Sequence, residues 1–341
     1  MSAPRVSIII LNWNGWRDTI ECLESLYRIT YPNYDIIVVD NNSQNDSIQK
    51  IKEYAEGKIE VDSKFFKYNP SNKPIKVFEI SEDEAKQGDF NKPLYEKFDP
   101  DRRMILIKNN DNYGFAGGNN VGIKFALCAL NPEYVLLLNN DTVVDKNFLR
   151  ELVKIAERDE KIGIVGPKIY YYSNPDIIWH AGGKINMWLG KRTMRGYQKR
   201  DGPEYGLLSN VDFVAGAALL IKVKTIQEVG LLDTTYFVYT EDVDWCHRAT
   251  KAGYNIMYVP TAKVWHKVSI SSGGEVSPVS LYYITRNTLI FMKKHAKVYQ
   301  WVTYVMFSGF LFLRRFLLVN LSRKKALIKG VTWHLKHNTS H

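Results

Sequence analysis

Apolar positions in this chain come in unbroken blocks that stop abruptly at Asn and Asp. The sharpest block is YVLLLNNDTVV, residues 134–144, where the run from Tyr134 to Leu138 gives way to Asn139, Asn140 and Asp141. A continuous run of this length predicts a strand buried on both faces, as in the middle of a parallel sheet. RVSIIILNWNG (5–15) and DIIVVDNNSQND (35–46) repeat the pattern. Residues 16–30 and 47–57 have helical apolar spacing, with Gly57 as a stop. Two βα units in succession predict a parallel sheet with right-handed crossovers.

Residues 58–103 interrupt this order. They are charged, hold four prolines and alternate weakly, and they read as an insertion, partly β or loop, at one edge. A strand at 104–109 follows, then a Gly-rich turn at 111–122 and a helix from Ile123. Past the 134–138 strand come a helix at 146–159, a strand at 162–172 and an irregular excursion at 185–206. A small-residue strand at 211–222, a short helix at 223–230 and a last strand at 255–266 complete the pattern.

Charge separates the C-terminal segment from the rest. Residues 276–341 hold 11 Lys or Arg and no acid, whereas residues 1–275 hold 35 basic and 36 acidic side chains. The segment also carries an apolar, aromatic stretch at 301–321, interrupted by Arg314 and Arg315 after 13 residues. That is short of the ~20 needed to span a bilayer. The expectation is a helical extension lying on an anionic membrane surface, the alternative a helix packed on the domain with a solvated basic face. Bases that accompany long apolar runs do not form a groove-lining pattern, so nucleic acid is set aside as a partner. Cys22, Cys128 and Cys246 are odd in number and far apart, which favours buried thiols in a reducing compartment. The N-terminal apolar run reads as the first strand, not as a secretory leader. The expected location is therefore cytoplasmic, on the inner face of the membrane.

The polar residues ending these strands collect at the carboxyl edge of the sheet, where α/β folds bind ligands. Asp141, flanked by amides, suits a hard divalent cation that shares a substrate phosphate; the plain alternative is an Asx turn. Asp40 and Asn41 can meet a base or ribose, or simply close a turn. Gly117 and Gly118, before a helix, would let the backbone approach a phosphate. No GxGxxG follows a strand, which disfavours a dinucleotide cofactor. Glu241, Asp242 and Asp244 cluster at a helix start; they could serve the helix dipole or act as a general base. His266 ends the last strand, on the same face as Asp141.

Together, VSIIILNWNG, DIIVVDNNSQND, NYGFAGGNNVGI, YVLLLNNDTVV, VAGAALLIK, GLLDTTYFVYTEDVDWCHRATKAGY, VWH and YYITRN resemble family 2 glycosyltransferases over residues 5–287. The closest likeness is to the rhamnosyltransferase-like and galactofuranosyltransferase-like branch. The resemblance implies a GT-A fold, a Rossmann-like and mostly parallel central sheet flanked by helices. Residues 1–275 would be the transferase domain and 276–341 the extension. It places Leu11, Trp13, Asp40 and Asn41 at the nucleotide, with Gly118, Asn120 and Asn140 beside the donor. Asp141 and His266 would hold Mn2+ or Mg2+, with Asn139 standing where the family's metal motif has its first Asp. Asp242 matches the catalytic base, with Glu241 and Asp244 in support, and Arg286 and Asn287 match a motif of unassigned role.

The implied reaction is inverting transfer from a nucleotide-diphosphate sugar, UDP- or dTDP-linked, to a hydroxyl of a glycan or polyprenyl-linked acceptor. A nucleotidyltransferase would want a basic Gly-rich N-terminal loop, which LNWNGWRD does not supply. A non-catalytic carbohydrate- or lipid-binding protein on this fold would have no need of Asp141, Asp242 and His266 together.

Overall fold

A computed structural model describes residues 3–268, 277–318 and 320–336. The first two βα units form as expected: β1 (Val6–Asn12), α1 (Trp16–Leu26), β2 (Tyr34–Asp40) and α2 (Ser47–Ala55). The 58–103 segment contributes β3 (Lys76–Ser81), α3 (Glu82–Gln87) and α4 (Lys92–Tyr95), and leads into β4 (Arg103–Lys108). Then follow α5 (Gly114–Phe125), β5 (Tyr134–Asn139), β6 (Thr142–Val144), α6 (Phe148–Ala156) and β7 (Ile162–Tyr171). The excursion is a series of short strands: β8 (Ile177–His180), the hairpin β9 (Gly183–Asn186) and β10 (Lys191–Met194), β11 (Lys199–Arg200) and β12 (Ser209–Asn210). β13 (Ala218–Lys222), α7 (Val223–Val229), α8 (Glu241–Lys251) and β14 (Asn255–His266) precede three helices: α9 (Pro278–His295), α10 (Val298–Leu318) and α11 (Leu321–Lys336).

The main sheet runs β11-β8-β7-β13-β5-β1-β2-β4-β3. From β5 to β3 all neighbours are parallel, so the insertion supplies the edge strand. β13 is reversed between β5 and β7, while β14 lies parallel to β7 and pairs antiparallel with β6. Both faces are covered. Ile8, Ile10, Ile36 and Val38 point into one apolar layer, and Ile9, Ile37, Val39 and Ile105 into the other. This is why the strands read as unbroken apolar runs.

Two expectations are corrected. β13 begins at Ala218; residues 211–217 lie outside it, with Val211 bonded to Ile256 of β14 and Gly216 to Asp242. Helix α5 begins at Gly114, nine residues before Ile123, so Gly117, Gly118, Asn119 and Asn120 lie inside a helix and not in a turn before it. The side chain of Asn112 accepts the Gly114 N–H (2.9 Å) and closes the turn that starts the helix. The glycines let α5 press onto the sheet. A Cβ at Gly122 would stand 2.8 Å from Ile9 and 3.0 Å from Val39; at Gly118 it would stand 2.5 Å from Leu11. Packing overrides the low helix propensity of glycine here.

The 301–321 stretch falls mostly in α10. Among the described residues no helix is long and apolar enough to cross a membrane. The side chains of Arg314 and Arg315 lie outside the described residues.

Candidate active site

Three sets of side chains meet at the carboxyl edge. The first lies where β5 ends. β6 pairs with β14 so that His266 stands opposite Thr142, which brings the imidazole to Asp141. His266 Nε2 lies 3.1 Å from Asp141 Oδ1 and 3.4 Å from Asn139 Nδ2. Both residues are buried, Asp141 at 9% exposure and His266 at 5%. Yet Asp141 Oδ1, Asn139 Oδ1 and His266 Nδ1 have no hydrogen-bond partner. The Asp141–His266 contact is thus close in distance without being an aligned hydrogen bond. Burial pushes the Asp141 carboxyl up, but His266, its own backbone and Lys267 together leave it lowered. The Lys267 ammonium itself is held by Asp18 and Glu21.

Buried polar atoms without partners are costly unless something satisfies them. Asp141 Oδ1 and His266 Nε2, 3.1 Å apart with the Asn139 amide beside them, are donors of the kind that suit a divalent cation taking further oxygens from a diphosphate and water. No three His, Cys, Asp or Glu side chains gather closely enough to hold a metal alone among the described residues. Asn140 turns the other way: its Nδ2 donates to Thr19 Oγ1 (3.1 Å) and the Gly15 carbonyl (3.3 Å), tying β5 to the start of α1.

The second set ends β1 and β2. Asp40 is fully buried, and both of its oxygens are engaged. Oδ1 accepts from Asn12 Nδ2 (2.6 Å) and Ser43 Oγ (2.6 Å), and Oδ2 from the Ser43 N–H (2.9 Å). Asn41 donates to Asn112 (2.8 Å) and the Gly114 carbonyl, and accepts from Asn109 (3.0 Å) and the Tyr113 N–H. These residues build the pocket wall; Leu11, half-buried, and Trp13, exposed, present open surface there. Asn120 is likewise engaged, clamping both backbone groups of Leu232. Gly118 serves packing against Leu11 and Asn41.

The third set starts α8. Asp242 Oδ2 accepts from the Gly216 N–H (2.8 Å) and Oδ1 from its neighbour's, Val243 (2.8 Å). Burial pushes its carboxyl up, partly offset by those N–H groups and by Arg192. Glu241 is buried, its Oε2 has no partner, and burial with the adjacent Asp242 charge pushes its carboxyl well above the usual range. Asp244 stands apart. It accepts from Tyr236 (3.0 Å) and Arg248 (2.7 Å) and lies 2.7 Å from His295, joining α8 to α9. The first and third sets share one short segment: Asn139 N–H donates to the Ala217 carbonyl (3.0 Å), one residue from the Gly216 N–H that binds Asp242.

Residues 74–278, more than half of the chain, match the model described as glycosyltransferase like family 2, and residues 7–92 match glycosyl transferase family 2. The chain belongs to glycosyltransferase family 2. It is 26% identical over 213 residues to the low-salt glycan biosynthesis hexosyltransferase Agl10 of Haloferax volcanii, spanning 61% of this chain and 68% of that one. It is 25% identical over 169 residues to the rhamnosyltransferase WbbL of Escherichia coli, spanning 45% of this chain and 61% of that one. Among solved structures, the mannosyltransferase PcManGT of Pyrobaculum calidifontis, in complex with GDP-Man and Mn2+, aligns with a TM-score of 0.54 at 14% identity, covering 99% of this chain and 76% of that one. GalNAc-T7, with UDP, GalNAc and Mn2+, aligns at 0.57 and 16% identity, covering 98% and 54%. The fold is GT-A.

The structure gives a role to two features that the sequence leaves without one. Arg286 donates to the Thr235 and Tyr236 carbonyls, and Asn287 to those of Tyr236, Val238 and Tyr239 (3.0, 2.8 and 2.6 Å). They pin the loop before Asp242, where Phe237, Tyr239 and Thr240 all have positive φ. The Phe237 carbonyl in turn accepts from the first turn of α5. Arg192, inside the irregular excursion, donates to Thr240 and to Thr288 (2.6 Å). It places a cation near Asp242 and Glu241. A lone Arg in an aperiodic segment gives no signal of this role; only the fold brings it there.

Proposed function

We propose that this enzyme is an inverting glycosyltransferase that uses a nucleotide-diphosphate sugar, UDP- or dTDP-linked. The acceptor is a hydroxyl of a glycan or a polyprenyl-linked glycan, met at the inner, anionic face of the cell membrane. The observation that carries the reading is the joining of the Asn139–Asp141–His266 corner to Asp242 through residues 215–217. A cation site and a carboxylate base tied to one short segment are the arrangement that displacement at an anomeric carbon needs.

Each residue then has a defined task. Asp141 and His266, with the Asn139 amide beside them, would hold Mn2+ or Mg2+, in line with the Mn2+ named in the PcManGT and GalNAc-T7 structures. A cation bound there supplies positive charge where the leaving diphosphate becomes more negative. Asp242, oriented by two backbone N–H groups, takes the proton of the acceptor hydroxyl. That hydroxyl attacks the anomeric carbon from the face opposite the nucleotide, so the centre inverts. Glu241, its carboxyl pushed well up, keeps a second negative charge away from Asp242. Leu11 and Trp13 offer the apolar surface for the base, and Asp40 and Asn41 shape it.

A screen of UDP- and dTDP-sugars tests this. Hydrolysis of at least one donor is expected in Mn2+, lost with EDTA and lost in Asp141→Ala. Donor hydrolysis indifferent to both treatments would remove the cation site from the reading. Pyrophosphate release from a nucleoside triphosphate and a sugar phosphate would replace it with nucleotidyl transfer.

A further inference from the structure

The C-terminal helices carry apolar surface that the transferase fold leaves uncovered. At 100° per residue, Val298, Val302, Val305, Met306, Phe310 and Leu317 of α10 fall within an arc of roughly 140°. They are open to solvent, with Val298 81%, Met306 74%, Phe310 66% and Leu317 69% exposed. The opposite side of α10 is the packed one, where buried Tyr304 lies so close to Gly190 that a Cβ there would meet its ring at 2.5 Å. Trp188, exposed at the turn of the β9–β10 hairpin, extends the apolar patch. Its ring lies 5.2 Å from that of Tyr299, and its carbonyl accepts the Thr303 hydroxyl (3.0 Å).

Charge decides what covers this patch. Residues 276–341 hold eleven Lys or Arg and no acid. Lys325 and Lys329 are exposed on α11 and line an open groove of about 650 Å³ with Tyr282, Ser322 and Trp333. An apolar stripe with Trp and Tyr at its margin, in a segment whose every charge is positive, complements an anionic bilayer surface: apolar residues reach the acyl boundary, aromatic rings and ammonium groups the headgroups. A second protein would have to bring a large acidic surface to neutralise the same charge.

We propose that α10 lies along an anionic bilayer surface, with its exposed stripe and Trp188 in the interface and the tail lysines among the headgroups. This names the membrane face of the acceptor reading and rests on that reading for its purpose alone. Arg192, four residues after Trp188 in the same hairpin, reaches Thr240. The hairpin therefore runs from the docked patch to the residue two before Asp242.

Co-sedimentation of the full chain with vesicles tests the proposal. Binding is expected to phosphatidylcholine vesicles containing phosphatidylglycerol, weaker without the anionic lipid and weaker at high salt. Met306→Glu/Phe310→Glu should lower the bound fraction on the order of tenfold, and Lys325→Gln/Lys329→Gln by a comparable factor at low salt. Circular dichroism and donor hydrolysis like wild type show that both variants are folded. The proposal is overturned if the full chain stays in the supernatant at low salt, or if both variants bind like wild type. It is equally overturned if light scattering shows a dimer that Met306→Glu/Phe310→Glu dissolves. Failure to hydrolyse any donor would refute the catalytic reading and leave the vesicle result standing.

Discussion

At the end of β5, the side chains of Asn139, Asp141 and His266 each leave one buried polar atom without a partner. At the end of β2, on the other side of β1, both oxygens of Asp40 and both ends of the Asn41 amide are bonded within the protein. Both corners are polar ends of buried strands. One is closed by its own hydrogen bonds; the other is left open and is the corner proposed to take a ligand. The same division runs through α8. Asp242 faces the cleft on two backbone N–H groups, whereas Asp244, two residues on, is held by Tyr236, Arg248 and His295. Buried polar groups are nearly always satisfied, so the unsatisfied ones are where chemistry is to be sought.

The largest effect should come from an open carboxylate. Asp242→Asn is expected to cut transfer by roughly 10²–10⁴-fold with nucleotide affinity retained. As the proposed base Asp242 would work deprotonated, and burial raises its pKa. The rate should therefore fall as pH drops through that raised value, giving an acid limb above the ordinary ~3.9 of an aspartate. Rate–pH profiles of wild type check the limb, and product formation by the variant checks the loss. Near-normal turnover in Asp242→Asn would erase the distinction drawn along α8.

Asp244→Ala should act on stability instead. The residue is fully buried, and removing it strands Arg248 and His295 against α8, a loss of about 3 kcal/mol. Burial acts to raise its pKa, but His295 and Arg248 leave it lowered. A lowered folded pKa means stability that is fully present above the unfolded value of ~3.9 and lost as pH falls through the folded value. Urea midpoints against pH should show this acid loss in wild type and less of it in the variant.

This division was only half readable along the chain. The buried strands announce themselves because each apolar run faces two layers, Ile8 and Ile10 into one and Ile9 into the other. The polar ends were readable for the same reason, as the points where the runs stop. Which ends are satisfied was not readable. That depends on partners distant in sequence, such as Ser43 for Asp40 or Ala217 for the turn holding Asp141. Glycine misled at α5, where Gly118 and Gly122 mark close packing on Leu11, Ile9 and Val39 and not a loop.

The smallest effect should come from Asp40→Asn. The change keeps shape and one carbonyl oxygen but replaces the other with an amide donor. Asp40 receives three donors, from Asn12 Nδ2, Ser43 Oγ and the Ser43 N–H. The Ser43 hydroxyl can rotate to accept from the new amide, but one N–H donor is left facing another donor. The loss is about 1 kcal/mol, the size of a single hydrogen bond. Because no Asp40 oxygen is free, the divalent-dependent affinity for the donor nucleotide should stay within about twofold of wild type, a difference well under 1 kcal/mol. Calorimetry with and without Mn2+, run beside Asp141→Ala, separates the corners. Asp141→Ala should abolish the metal dependence, while Asp40→Asn should leave it in place and lower only the denaturation midpoint. If Asp40→Asn instead matched Asp141→Ala, the β2 carboxylate would have to leave Ser43 to meet the ligand, and the closed corner would be closed only in the ligand-free protein.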